Sequence, residues 1–160
     1  AFRCDRNRAS GAVFLFWETV MEEVDCIFCE IISGAVPSVQ VWSDEGFVSF
    51  LDANPIREGH LQLVPRQHYP YFDDLPQDLA SRFIVAGQSL AKRLKRVFDV
   101  PRVAFVCTGG DVSHCHAHLV PLHEKTDITS LRYSEPAYLM PSTRKRPTLT
   151  ELSAVAAKLL

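Results

Sequence analysis

The chain has neither a strong net charge nor an apolar run of membrane length. Seventeen Lys and Arg against nineteen Asp and Glu leave a formal charge of -2. The signs are mixed along the sequence, so there is no basic field for holding a nucleic-acid polymer, and nucleotides fit the charge balance better. The most apolar stretch near the start, Gly11 to Trp17, is too short to cross a bilayer, and Glu18 interrupts it before any small-residue cleavage pattern. Neither an export signal nor a membrane partner is expected. Cysteine is also poorly arranged for a disulfide framework: there are five, an odd set, and the only regular spacing is Cys26-Ile-Phe-Cys29. A reducing cytoplasm and a metal suit that pair better. No internal repeat and no low-complexity tract interrupts the chain.

What is present is enough for one packed domain, since 160 residues at 47% hydrophobic content can bury a substantial core. Residues 1–20 match nothing that follows, begin without Met, and precede Met21, which opens an acidic stretch. They read as an N-terminal extension, leaving 21–160 as the domain. The alternative is an ordered cap that packs Phe14, Phe16 and Trp17 on the core.

The elements follow from periodicity and punctuation. Ile27 to Ser33 reads as a short helical turn stopped by Gly34, after which Pro37 steers the chain into extended structure. Val39 to Trp42 and Phe47 to Leu51 are β-branched or aromatic runs joined by Ser43–Gly46, the composition of an antiparallel hairpin. After the turn-like segment Asp52 to Gly59, His60 to Pro65 supplies a third strand. Asp74 and Gln77 have a capping-box spacing, and Leu79, Phe83, Ala86, Leu90, Leu94 and Val97 recur at helical intervals. The last turns of this long helix carry Lys92, Arg93, Lys95 and Arg96, a solvated end that the helix dipole favours. Arg102 to Cys107 is a fourth strand, Gly109-Gly110 a turn, and His114 to Leu122 a fifth strand. Pro-rich sequence and a terminal helix from about Leu149 complete the chain. The expected class is α+β: a mainly antiparallel five-stranded sheet with one long helix packed on it and a C-terminal helix.

Three of the six histidines stand at alternate positions in His114-Cys115-His116-Ala117-His118-Leu119-Val120-Pro121. On a strand, alternate residues share a face, so three imidazoles would project side by side while Cys115, Ala117 and Leu119 point into the core. Such a row is costly unless it is used, and imidazole is both a metal ligand and a nucleophile or proton shuttle near neutral pH. A catalytic zinc on alternate strand histidines, with water in its open position, is one use. That reading leaves Cys26 and Cys29 unexplained, whereas a tetrahedral structural zinc takes two thiolates and two further ligands.

Cys-x-x-Cys ahead of two strands, Gly59-His60, Pro65-x-x-His68 and His-x-His-x-His-x-x-Pro stand in the order found in histidine-triad (HIT) proteins. The chain resembles that family over about Cys26 to His123, and within it the zinc-containing bacterial members close to the Hint branch. The resemblance implies a HIT-like fold for 21–160, with the motif-bearing core at about 26–123, and a homodimer in which two sheets join. It implies a structural zinc on Cys26, Cys29, His68 and His114, and a nucleophilic His116 that displaces the leaving group from the α-phosphorus to form a nucleotidyl-imidazole. His118 and His60 would lie beside the phosphate. Asp52 would accept hydrogen bonds from the ribose hydroxyls, and Phe28, Ile31 and Phe50 would wall the base. By their residue types alone, the three apolar residues could equally be core, and Asp52 could cap a turn.

The sequence departs from the Hint pattern before the triad, where Gly109-Gly110-Asp111-Val112-Ser113 replaces a Gly-Gln-Ser/Thr-Val-x segment. Asp111 would repel a phosphate if it faced inward, so either it faces away or Thr108, Ser113 and backbone N–H groups make the contacts. The activity implied is hydrolysis of purine nucleoside 5′-phosphoramidates or related adenylylated compounds. The alternatives are a dinucleoside polyphosphate hydrolase, a nucleotidyl transferase, and a nucleotide-sensing or binding module.

Overall fold

The computed structural model describes residues 2–3, 26–124, 127–128 and 147–160. Residues 4–25 lie outside it, including Phe14, Phe16, Trp17 and Met21, as does most of the Pro-rich stretch after Glu124. Five strands form one antiparallel sheet: β2 (Gln40–Ser43), β3 (Phe47–Leu51), β4 (Leu61–Pro65), β6 (Arg102–Val106) and β7 (Ala117–Leu122), in the order β2-β3-β4-β7-β6. Separately, β1 (Phe2–Arg3) pairs with β5 (Gln67–His68). The β2–β3 turn is fixed by Asp44, whose Oδ1 accepts the N–H groups of Gly46 at 2.8 Å and Phe47 at 2.7 Å.

Both faces of the sheet centre are covered, which is why every residue of β3 and β4 is buried and neither strand shows an apolar/polar alternation. On one face, α2 (Gln77–Phe98) buries Phe83, Ala86, Leu90 and Leu94 against Phe47, Leu51, Leu61, Leu63 and Leu119. The terminal helix α3 (Leu149–Leu159) adds Leu152, Ala156 and Leu159 to the same core. It starts in a capping box, where Thr148 Oγ1 accepts from Glu151 N at 3.2 Å and the Glu151 carboxylate accepts from Thr148 N at 2.7 Å. On the opposite face, α1 (Ile27–Ser33) lays Phe28 and Ile31 over Val48, Phe50 and Val64. Gly34 stops α1 in the left-handed region, at φ 79°, as the sequence suggests.

Several element ends differ from expectation: the first strand of the sheet runs Gln40–Ser43 and not Val39–Trp42, and three of the other differences have a hydrogen-bonding reason. The fifth strand begins at Ala117 rather than His114, because Cys115 N–H goes to Tyr69 O at 2.6 Å and His114 N–H to Val112 O, outside the sheet ladder. The third begins at Leu61 because His60 N–H closes a turn onto Arg57 O. The fourth ends at Val106, one residue early. Asp74 does not cap α2: its carboxylate accepts Tyr71 N–H at 3.0 Å in a 3-10 turn over Phe72–Asp74, and Pro76 occupies the N-cap.

At Gly87, α2 packs tightly on the sheet. A Cβ there would stand 2.3 Å from Phe105 Cε2 on β6. Alanine would improve helix propensity by about 1 kcal/mol, but overpacking costs about 1–3 kcal/mol. Gly87→Ala should therefore lower the melting temperature, and a thermal melt that rose instead would show that Phe105 can move aside.

Candidate active site and metal centre

Alternation along the approach to β7 separates two environments. Cys115, Ala117 and Leu119 are buried on the α2 side, as the pattern requires. His116 and His118 stand on the α1 face with their rings 5.1 Å apart and T-shaped. His114 leaves this row and pairs instead with His68, at 4.7 Å between centroids.

Cys26, Cys29, His68 and His114 converge, with their ligand atoms all within 4.8 Å of one another. His114 Nδ1 lies 3.3 Å from Cys26 Sγ and 3.6 Å from Cys29 Sγ, and His68 Nδ1 lies 3.5 Å from Cys29 Sγ. A tetrahedral centre with metal–sulfur bonds of about 2.3 Å and metal–nitrogen bonds of about 2.1 Å has N···S edges of about 3.6 Å. The cluster matches that spacing and could hold a metal ion. The protonation pattern also fits: His114 Nε2 lies 3.0 Å from Pro65 O, and since a carbonyl only accepts, the proton sits on Nε2 and the Nδ1 lone pair faces the thiols. Burial, outweighing the opposing effect of the Pro65 carbonyl, lowers the His114 pKa to about 4, with His68 and His116 adding to the lowering. Burial lowers that of His68 as well. Both rings are thus held in the neutral state that a metal ligand needs.

His116 is fixed in the same way. It is 4% exposed, and its Nδ1 lies 2.6 Å from His114 O. In the neutral ring the proton is therefore on Nδ1 and the lone pair on Nε2. The edge of Phe28 packs on the His116 ring at 5.1 Å and on His114 at 5.9 Å, so one α1 side chain braces both rings. Phe50 packs on Phe28 at 5.7 Å. Phe28, Ile31 and Phe50 are all buried in the α1-side core.

A second group links Asp52, His60, Gln62 and His118. His60 Nδ1 accepts from Ile56 N–H at 3.2 Å, so its proton is on Nε2, which lies 3.0 Å from His118 Nδ1. Gln62 Nε2 also lies 3.0 Å from His118 Nδ1, and 2.5 Å from Asp52 Oδ2. Asp52 Oδ1 accepts Asn54 N–H at 2.6 Å, so this carboxylate does cap a turn. Asp52, His60 and His118 lie close enough together to hold a cation. The Ile56 N–H argues against one, because it commits the His60 lone pair to Nδ1 and leaves a proton, not a lone pair, on Nε2. Burial is the largest influence on both rings: it takes the His60 pKa to about 4 against the Asp52 charge, and lowers that of His118 with help from His116. Asp52 and Asp111 partly oppose the lowering at His118, so Asp111, though exposed, acts on the site electrostatically.

Thr108 lines a cavity of about 160 Å³ beside His116, together with Tyr71, Phe72, Asp73 and Cys107. Ser113 is exposed. Neither Gln62 nor the Tyr71–Asp73 wall was picked out from the sequence. Gln62 had a usable signal: it is the one polar residue in Leu61–Pro65, on the same strand face as His60. The wall had none, since it depends on where the 3-10 turn lands.

The HIT domain profile matches residues 33–125, a span that contains all three triad histidines but not the cysteine pair. An uncharacterized HIT-like protein of Methanocaldococcus jannaschii is 36% identical over 103 residues, covering 62% of this chain and 80% of its own length. The adenosine 5′-monophosphoramidase of Saccharomyces cerevisiae is 30% identical over 105 residues, covering 62% of this chain and 64% of its own. The crystal structure of a Zn-bound histidine triad family protein from Mycobacterium smegmatis matches with a TM-score of 0.63 and 26% identity, over 84% of this chain and 95% of that one.

Proposed function

Because the chain belongs to the HIT domain family, we propose that it is a nucleotide hydrolase in which His116 Nε2 attacks the α-phosphorus of a purine nucleoside 5′-phosphoramidate or a related adenylylated compound. One observation carries this reading: the His114 carbonyl holds the His116 proton on Nδ1 and leaves Nε2 as the nucleophilic lone pair. Attack forms the N–P bond and breaks the bond from phosphorus to the leaving nitrogen. The departing amine takes its proton from solvent, while His118 Nε2–H donates a hydrogen bond to a non-bridging oxygen of the phosphate and a donor on His60 helps to hold the ring. Water then cleaves the N–P bond and releases the nucleoside monophosphate, restoring His116. Asp52 retains acceptor capacity for the ribose, and Phe28, Ile31 and Phe50 wall the base.

The metal of the four-donor cluster is zinc on this reading. When bound, it supplies a cross-link between α1, β5 and the approach to β7, with no open position for chemistry. The homodimer would join two sheets through β6, an edge strand of the sheet.

The cavity beside His116 favours an amine over a polyphosphate as leaving group. Among the described residues its lining carries Asp73 and no Lys or Arg, so a leaving group with several negative charges finds repulsion and no counter-charge. Assayed side by side, adenosine 5′-phosphoramidate should turn over with a kcat/KM at least about tenfold above that of diadenosine tetraphosphate. Turnover of the dinucleotide alone would overturn this choice. Monophosphate binding without turnover of either compound would indicate a sensor, and product diverted onto added phosphate would indicate a transferase.

A further inference from the structure

Gln62 is buried to 6% exposure in the middle of an otherwise apolar strand, opposite His118 in the β4–β7 register. Its amide nitrogen touches two groups at once, Asp52 Oδ2 at 2.5 Å and His118 Nδ1 at 3.0 Å. A carboxylate oxygen only accepts, so the amide group facing it is NH2 and not the carbonyl. The two N–H bonds match the two acceptors. The orientation has a cost, because Gln62 Oε1 is buried with no partner. A leucine here would fill similar space without that orphan, so packing alone gives no reason for glutamine.

The reason lies in what the amide separates. Asp52 Oδ2 is 4.0 Å from His118 Nδ1 and 3.6 Å from His60 Nε2. Without an intervening group, the carboxylate would draw a proton onto His118 Nδ1, leaving the neutral ring with a lone pair on Nε2. We propose that Gln62 is a positioning residue whose amide, interposed between Asp52 and His118, keeps His118 Nδ1 an acceptor and so keeps the ring proton on Nε2. His60 reinforces this, since its own Nδ1 is committed to Ile56 N–H and its Nε2–H points at the same His118 nitrogen. Gln62 Nε2–H and His60 Nε2–H therefore share the single lone pair of His118 Nδ1, and the outward nitrogen is the donor. The kinetic consequence rests on the His116 reading above; the position of the proton does not.

The test is histidine-ring 15N NMR on zinc-loaded wild type, Gln62→Leu and Gln62→Met, with thermal melts and kinetics on adenosine 5′-phosphoramidate. In wild type, His118 should show an unprotonated Nδ1 and a protonated Nε2. Both variants should melt at or above the wild-type temperature, yet show His118 protonated at Nδ1. Their kcat should fall by about 10- to 100-fold with KM changed by no more than about threefold, as for other orienting partners of a catalytic ring. A wild-type His118 protonated at Nδ1 overturns the proposal, and so does an unchanged His118 tautomer in both variants. If wild type hydrolyses no phosphoramidate, the reading of the site as a hydrolase fails, while the ring shifts still decide the role of Gln62.

Discussion

His116→Ala should abolish phosphoramidate turnover, lowering kcat by about 10⁴- to 10⁶-fold, as removal of a covalent nucleophile does elsewhere. The size of the effect follows from geometry. His118 presents its proton and not its lone pair, because two donors, Gln62 Nε2 and His60 Nε2, each lie 3.0 Å from its Nδ1. His60 has its lone pair committed to Ile56, and His114 has its own directed at the thiols. Among the described histidines of the triad and its partner His60, only His116 combines a free Nε2 with a fixed Nδ1–H. Binding of nucleoside monophosphate should change little, since the groups assigned to base and ribose are elsewhere. His116→Gln should be equally inactive while filling more of the space against Phe28. Stopped-flow and single-turnover rates measure the loss. A variant that kept more than about a hundredth of wild-type kcat would place the nucleophile elsewhere.

The second large effect is expected from the metal. Chelation, or Cys26→Ser, should lower the melting temperature by at least about 10 °C and reduce activity in parallel. Structural zinc contributes on the order of 10 kcal/mol in small domains, comparable with the whole stability of an ordinary one. Here the sheet has its own core against α2 and α3, so a loosened α1 face is expected in place of complete unfolding. Activity follows because the same residues serve both sites. The His114 ring faces the thiols while its carbonyl orients His116, and Phe28 packs on both rings. Metal content by mass spectrometry, with melts before and after chelation, checks this. Less than one zinc per chain in protein purified without chelator, or a melt unmoved by Cys26→Ser, would contradict it.

Much of this arrangement is written in spacing. Alternation explains why His116 and His118 share a face, but His114 turns away from them toward His68; the Cys-x-x-Cys pair suggested a metal, and only the family resemblance named its other two ligands. The long helix and its buried face were visible in the recurrence of Phe83, Ala86, Leu90 and Leu94, and the stop of α1 was visible in Gly34. Individual hydrogen-bond partners, near or far in the chain, were not visible. The start of β7 depends on Tyr69 O, the His116 tautomer on the carbonyl two residues before it, and the capping of α2 on a 3-10 turn that takes Asp74 away. Gln62 shows the limit most clearly. Alternation places it on the face of His60, but only the distances to Asp52 and His118 show that it separates an acid from a base.

The stereochemistry at phosphorus tests the covalent mechanism most directly. An adenosine 5′-phosphoramidate made chiral at the α-phosphorus would be hydrolysed in isotopically labelled water by the zinc-loaded protein. Attack by His116 followed by attack by water is two in-line displacements, so the monophosphate should retain configuration. Inversion would mean that water strikes the phosphorus directly and that no nucleotidyl-His116 intermediate forms.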